Sequence, residues 1–507
     1  MGQSMGNPAK WHDRGTLLTR RNVLRGAIAV AAATAWPRQG NAAGKAVAST
    51  GEMVLLEPTA LEDLRRSVAG RVILPTSPDY DQARRVWNPA VDRYPAVIVE
   101  CTSLDDIQAA LQFGRSHDIL TAVRCGGHNV GGTGVAEGGL TIDLAPFRGV
   151  EVDAAKQIAK VKGGSLLGDL DRATVPLGLG TTAGVVSHTG VGGLATALGQ
   201  GRLGRSCGYT IDNIRGATVM TPDGRILHAD ATENSDLHWG IRGGGSNFGI
   251  VTEFELQLHE FDPNVTSMSF VYPVAKATDA LKVLFELGER VSRATSLGVG
   301  IGTDAKGETT VSIGGTHLGS SASAKQVLGQ SLEPLGKPLR QRLSTMNYVT
   351  LQSIADSTRY AMLSEHSRSG FFHRVDEHLA EAIADYGSKH TMAGTGIRVS
   401  QQGGRGNDLA PTATAFPHRD TLFQCTVNAH WPNPRDDAKY RQYCNDSWEV
   451  LGPMTNGGFY INVAIDPTEA EVRRAYAGNY RRLVALKRKY DPTNFLRLNV
   501  NIDPAAA

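Results

Sequence analysis

The run RCGGHNVGGTG, residues 124–134, places one imidazole, His128, among glycines. Glycine allows backbone conformations and close approaches that a Cβ forbids. Successive backbone N–H groups in such a loop form a concave nest for an anion. A neutral imidazole nitrogen is a hydrogen-bond partner, a base or a nucleophile. Two further glycine runs, GVGGLATALGQGRLG (190–204) and RGGGSNFGIV (242–251), stand downstream. A phosphate loop of the GxxxxGK[ST] type is absent. GVGGLATALGQG lacks the GxGxxG spacing of a dinucleotide fingerprint. Several scattered glycine loops suit one long, phosphate-bearing ligand gripped from several strands.

Metal chemistry finds little support. The five cysteines, Cys101, Cys125, Cys207, Cys425 and Cys444, show no CxxC spacing. Their odd number leaves at least one unpaired, and a disulfide among the rest stays open. No HExxH or related histidine spacing occurs, and no metal site is expected. His373 and His378 read as surface residues. The chain has 507 residues, a net charge of +2 and 41% apolar content, an ordinary globular balance. Nothing in that balance points to nucleic acid or an anionic membrane. The 58 glycines exceed the usual ~7% share and cluster between residues 114 and 249.

The elements that must position these loops alternate in type. SLDDIQAALQFGRSH, with Ser103 three residues before Asp106, reads as a capped helix. The strand ILTAV then feeds the His128 loop. GLTIDL and QIAKVKGG read as strands, SLLGDLDRATVPLGL as a helix. IRGATVMTPDGRIL reads as two strands around a tight turn. After about residue 265, helices such as DALKVLFELGERVSRA alternate with strands such as GETTVSIGG. The C-terminal stretch from Asp466 reads as a helix pair, capped by Thr468 with Glu471 and stopped at Asp491-Pro492. The whole predicts an α+β chain of two lobes.

The N-terminus reads as an address. TRRNVLRG (19–26) sets paired arginines before AIAVAAATAW, a run too short to span a bilayer. Ala46–Ala48 fits a signal-peptidase site, and the pattern resembles a twin-arginine signal. That signal implies passage through the twin-arginine export machinery, a periplasmic or extracellular location, and no membrane anchor in the mature protein. It serves proteins folded before transport, often around a cofactor.

RCGGHNVGG, GLTIDL, GVGG, YTIDNI, WGIRGGGSNFGIVT, YIN and NVNIDP follow one another in order from about residue 90 to the C-terminus. Together they resemble the FAD-linked oxidases of the vanillyl-alcohol-oxidase superfamily, specifically the berberine-bridge-enzyme-like branch. The resemblance implies FAD as cofactor. It also implies a two-lobed α+β fold: an FAD-binding domain of the p-cresol-methylhydroxylase type, then an α+β substrate domain with an antiparallel sheet covered by helices. Boundaries expected on this basis are 1–48 for the signal, 49–265 for the FAD domain (core about 91–262), 266–455 for the substrate domain, and 456–507 for a segment returning to the FAD domain.

Residue by residue, the resemblance implies that His128 is bonded to the flavin 8α-methyl. A cysteine that forms a second link in relatives is replaced by Val186, so a single link is expected. Arg124, Gly126, Gly127, Asn129 and Val130, with Gly192 and Gly193, are implied at the pyrophosphate. Gly249, Ile250 and Val251 are implied beside the adenosine half, and Asn499 and Asn501 near the ring. Tyr460 is the implied base and Asn462 its orienting partner. A tyrosine with the usual pKa near ~10 works as a base only if that value falls or if proton and hydride leave together. His188, His418 and Arg419 are further candidates for the substrate end; His188 reads equally as a loop histidine in water. Gln200 stands where relatives often have glycine. Thr189 stands where they hold an aliphatic residue thought to gate oxygen.

The expected activity is oxidation of a small-molecule CH–OH (a sugar or secondary-metabolite alcohol) or CH–NH group by hydride transfer to the flavin, with O2 as the expected reoxidant. The alternatives are a dehydrogenase using a non-oxygen acceptor and an exported flavin-binding protein without turnover.

Overall fold

The computed structural model describes residues 44–356 and 363–506. The basic segment at 19–26 and the apolar run after it lie outside the described residues. Lys45–Val47 pairs antiparallel with Met53–Leu55. Ala46 is completely buried, and Val47 exchanges backbone hydrogen bonds with Gly138 and Leu120. A cut after residue 48 would remove that strand whole.

The first lobe begins with a four-stranded sheet. Val97–Glu100, Leu140–Asp143 and Thr121–Arg124 run parallel, with Arg71–Ile73 antiparallel at one edge. Helix Leu104–Ser116 packs on it through Ile107, Ala110 and Leu111. The helix starts where Ser103 Oγ accepts a hydrogen bond from Asp106 N at 3.1 Å, an N-cap that satisfies one orphan donor. Because Thr121–Arg124 and Leu140–Asp143 run the same way, both deliver their C-terminal ends to one side. The His128 loop leaves from that side.

A second, antiparallel sheet completes this lobe. Its strands, in order, are Ile226–Asp230, Ile214–Met220, Ile250–Gln257, Ile158–Lys162 and Val150–Asp153. The C-terminal helices Glu469–Tyr476 and Tyr480–Tyr490 return to its core through Val472, Tyr476, Leu483 and Val484. Thr468 and Glu471 cap the first of them reciprocally.

The second lobe is one seven-stranded antiparallel sheet. Its order is Arg340–Asn347, Asn264–Pro273, Thr309–His317, Thr295–Thr303, Thr395–Gln401, Phe423–Trp431 and Ser364–Phe372. Helices Ala277–Arg290, Glu377–Lys389 and Asp437–Leu451 cover one face. Side chains alternate along a strand, so each strand has two characters. Leu297, Val299, Ile301, Val311, Ile313, Ile397 and Val399 fill the core under the helices. Their neighbours, Ser and Gly for the most part, turn to the other face, toward the first lobe. All five cysteines are unpaired, so none of the disulfides left open by the sequence forms. Among the described residues no helix is long and apolar enough to cross a membrane.

Candidate active site

A cavity of about 810 Å³ lies between the lobes. The His128 loop forms one wall. Gly126 meets Gly190 of the second glycine run backbone to backbone; a Cβ on Gly126 would lie 2.3 Å from Gly190 N. Gly127 has φ +67°, a conformation natural to glycine. Arg124 sits under the loop with its guanidinium paired to buried Asp143, its register neighbour on the adjacent strand. Asn129 ties the loop to the C-terminal segment through Nδ2 to the Asn462 carbonyl, 3.2 Å.

His128 lines the cavity and stands between two rings. Trp87 stacks on it, centroids 5.2 Å apart and 20° between planes. His128 Nε2 is 2.6 Å from His188 Nδ1, and Thr189 Oγ1 is 3.4 Å from His128 Nδ1. In a contact between two neutral imidazoles, one nitrogen donates and the other accepts. His188 is 4% exposed, so the reading of it as a loop histidine in water is corrected: it backs His128. Val186 stays off the cavity wall, whereas Cys125 is on it with Sγ 3.6 Å from the Ser165 carbonyl. Burial pushes the Cys125 thiol up to about 11, so it stays protonated at neutral pH.

The C-terminal segment supplies Tyr460, Asn462 and Asn499 to the cavity. Its course is fixed by a buried ion pair, Lys487 to Asp491 at 2.8 Å. Lys487 Nζ also donates to the carbonyls of Asn247 and Leu496. Tyr460 Oη accepts a hydrogen bond from Gln200 N at 3.3 Å. Burial pushes the phenol up to about 12, partly offset by that bond, so it is neutral at ordinary pH. Gln200 does not disrupt its loop. Its side-chain amide instead reaches Gln402 Oε1 on the second lobe at 3.0 Å. Asn462 Nδ2 donates to the carbonyls of Gly193 and Leu194.

Several expected contacts are placed elsewhere. Val130 is core, its carbonyl held by Asn88 Nδ2 at 2.7 Å. Gly192 packs against the Gly163 carbonyl, while neighbouring Gly193 opens onto the cavity. Gly249 fits tightly over Val219 and Met220, and Ile250 and Val251 belong to two apolar cores. They shape the sheet and do not line the cavity. Asn501 is also off the wall. His418 and Arg419 are corrected as pocket-mouth residues. His418 Nε2 bonds the Ala475 carbonyl at 2.9 Å, and Arg419 forks onto Asp212 at 2.7 and 2.9 Å. Both brace the junction of the lobes, because a buried guanidinium needs a carboxylate to hold it.

The opposite wall escaped the sequence reading. It is the helix-free face of the seven-stranded sheet, carrying Ser267, Ser296, Gly300, Ser312, Arg398 and Gln402 among others. The signal was present as strict alternation in SLGVGIG, TVSIGG and IRVSQQ, small or polar against aliphatic. Trp87 and Asn88 carried no such pattern. Asn88 binds both Val130 and the backbone of Glu365, pinning the His128 loop to the second lobe.

The donor set fits an FAD. Glycine loops in direct contact leave backbone, not side chains, toward the cavity. Asn462 Oδ1 and Asn499 Oδ1 are buried without a partner in the protein, acceptors available to a polar ring or ribityl chain. Among the described residues no cluster of three or more His, Cys, Asp or Glu is arranged to hold a metal ion.

Residues 95–230 match the FAD binding domain family and residues 459–503 the berberine and berberine-like family. An FAD-linked oxidoreductase of Dictyostelium discoideum is 31% identical over 441 residues, covering 86% of this chain and 95% of its own. Glucooligosaccharide oxidase of Sarocladium strictum is 28% identical, over 85% of this chain and 91% of its own. The crystal structure of 6-hydroxy-D-nicotine oxidase from Arthrobacter nicotinovorans superposes with a TM-score of 0.78 at 26% identity. It covers 86% of this chain and 98% of that one.

Proposed function

The chain belongs to the berberine-like FAD-linked oxidoreductases, and from that premise we propose that it is an oxidase carrying FAD on His128 and acting on a CH–OH or CH–NH group. The observation that carries this reading is the convergence of His128, the touching glycine loops and Tyr460 on one cavity. Relatives named for a glucooligosaccharide and for 6-hydroxynicotine support a sugar hydroxyl or an amine as the group oxidised.

Bound flavin supplies an acceptor for hydride. The protein's own groups do the rest. His188 Nε2 faces the Ala355 carbonyl at 3.4 Å and donates there, so His188 Nδ1 accepts from His128 Nε2 and the lone pair for the tether is on His128 Nδ1; Trp87 holds the ring plane. Val186 offers no thiol, so the tether is single. Tyr460, in its phenolate form, receives the substrate's hydroxyl or amine proton at Oη as hydride leaves. Burial pushes the phenol up to about 12, so that form is a small fraction at neutral pH and the rate of substrate oxidation rises with pH. The Gln200 N–H donates to Oη and favours that phenolate. Asn462, anchored at Nδ2, points its free oxygen to a donor on the ligand. Dioxygen is the proposed reoxidant, with Thr189 beside His128 on its path.

Export by the twin-arginine route follows from the N-terminal pattern. A cut before residue 44 would leave the buried Lys45–Val47 strand intact. The decisive experiment is acid denaturation of the purified protein followed by intact mass. A mass increase of one FAD, lost in His128→Ala, is expected. Complete release of the flavin would refute the tether, and an absence of any flavin would refute the oxidase reading.

A further inference from the structure

The substrate half of the cavity has an unusual charge balance. Among the described residues the lining of the whole cavity includes Arg202, Arg205 and Arg398, with Arg124 under the His128 loop, and no Asp, Glu or Lys. A second cavity, about 450 Å³, adjoins it and shares Val185, Arg202, Ser267 and Ser269. It adds Arg340 and Arg342, again with no carboxylate. Arg124 is neutralised by Asp143. Among the described residues the other five form no ion pair. Arg398 Nε reaches only Ser400 Oγ at 3.0 Å, and Arg202 reaches Gln352 Oε1, Thr316 Oγ1 and the Val185 carbonyl, all uncharged.

Strand register arranges these groups. Arg398 pairs with Gly300, Gly300 with Ser312, Ser312 with Val271, and Val271 with Arg340. Paired residues share a face. Four strand spacings of ~4.8 Å put the two arginine positions roughly 19 Å apart. Between them Ser312 and Gly300 leave a shallow trough. Arg342 lies one row over, opposite Ser269. A Cβ on Gly298 would lie 3.5 Å from Arg398 Nη2, so the guanidinium extends over that small residue.

We infer that the substrate carries an oxyanion, a carboxylate or a phosphate, seated at Arg398 and drawn in along Arg340, Arg342 and Arg202. The inference rests on the oxidoreductase reading of the same cavity. Guanidinium groups cannot discharge by losing a proton. Arg398, Arg340 and Arg342 are exposed along the cavities with no carboxylate paired to them among the described residues, so their charge is available to an incoming anion. Arg202 is half-buried, which disfavours its charged form, and Arg398 lies close enough to repel it. Asp171, the acid beside Arg202, is separated from it by Gln352 and is pushed up to about 7 by burial. Asp304 lies close enough to Arg340 to feel its charge but forms no ion pair with it. The glycine loops and His128 are on the first lobe, whereas Arg398, Arg340 and Arg342 are on the second-lobe sheet. That separation assigns these three to the substrate, not to the cofactor phosphates.

The test is calorimetric titration of the holoprotein with matched pairs: D-glucuronate and its methyl ester, 4-(hydroxymethyl)benzoate and its methyl ester, and glucose 6-phosphate and glucose. At least one charged member is expected to bind about tenfold or more tighter than its neutral partner, the worth of one charged hydrogen bond. Whether an acid or the phosphate shows the preference identifies the oxyanion. Arg398→Gln should abolish that preference. Arg342→Gln, a change at an exposed position that threatens folding less, should reduce it about threefold at low salt and less at high salt. Flavin content per chain should match wild type in both variants. Equal or undetectable binding within all three pairs overturns the inference, as does a preference that survives Arg398→Gln. Loss of flavin in Arg398→Gln would overturn it by assigning that arginine to the cofactor. A holoprotein without flavin would instead defeat the oxidase reading, while the charge preference is still read from the heats.

Discussion

On the first-lobe wall, Gly126 and Gly190 touch backbone to backbone and Gly127 takes a left-handed turn. On the second-lobe wall, Ser312, Gly300 and Arg398 stand side by side on regular antiparallel strands. One wall is shaped by where the main chain goes. The other is shaped by which side chains project from a main chain that any similar sequence would adopt. The first therefore tolerates almost no substitution, and the second has room to change specificity without changing the fold.

Gly126→Ala is the harshest way to probe that contrast. Its Cβ would overlap the Gly190 backbone at 2.3 Å, which neither loop can relieve by rotating a side chain. A loss of roughly 4 kcal/mol or more is expected, in the range reserved for such overlaps. Denaturant unfolding and flavin content measure it; a variant as stable as wild type would mean the loops are not packed as described.

Tyr460→Phe probes the seam between the walls. The ring is kept and only the hydroxyl is lost. The rate of flavin bleaching by an accepted substrate without oxygen should fall roughly 10²- to 10⁴-fold, with folding intact. An unchanged rate would reduce Tyr460 to a wall of the cavity.

Asp171→Asn probes the support behind the arginines. The folded Asp171 titrates near 7, against an ordinary aspartate value of 3.8. The folded state therefore holds the proton more tightly than the unfolded state. Its contribution to stability is complete below about 4 and is lost as pH rises toward 7. The melting temperature of wild type should carry this decline between about pH 4 and 7 and level off above, and Asp171→Asn should flatten it by a few degrees. Parallel curves for the two proteins would exclude Asp171 as the source.

Gly300→Ala is the mildest. The nearest atom to the new methyl is Ser312 Oγ at 3.3 Å, in an extended strand. Stability should change by no more than about 0.5 kcal/mol, while substrate KM rises as the trough becomes shallower. A large loss of stability would erase the difference between the walls.

The glycine wall was legible because its constraint is local. RCGGHNVGG needs glycine wherever its own backbone must bend or touch, so the residues announce the geometry. The capped helices at Ser103 and Thr468 and the hairpin through Pro222-Asp223-Gly224 were legible for the same reason: their hydrogen bonds close within a few residues. Gly249 to Val251 show the limit of motif matching. Their pattern resembled a cofactor contact, but a strand buried on both faces spends those residues on packing.

By itself the sequence determined the two-lobed α+β fold and the FAD-linked class, and it singled out His128 and Tyr460, which line one cavity. Tertiary structure decided what stands behind and opposite them. The His188 ring against His128, Arg419 on Asp212, Asn88 bridging the lobes, and the arginine row facing the glycine loops all join residues from about 60 to nearly 280 positions apart. Such contacts leave no periodicity or local spacing in the chain. They exist only once burial has folded two separate sheets against each other.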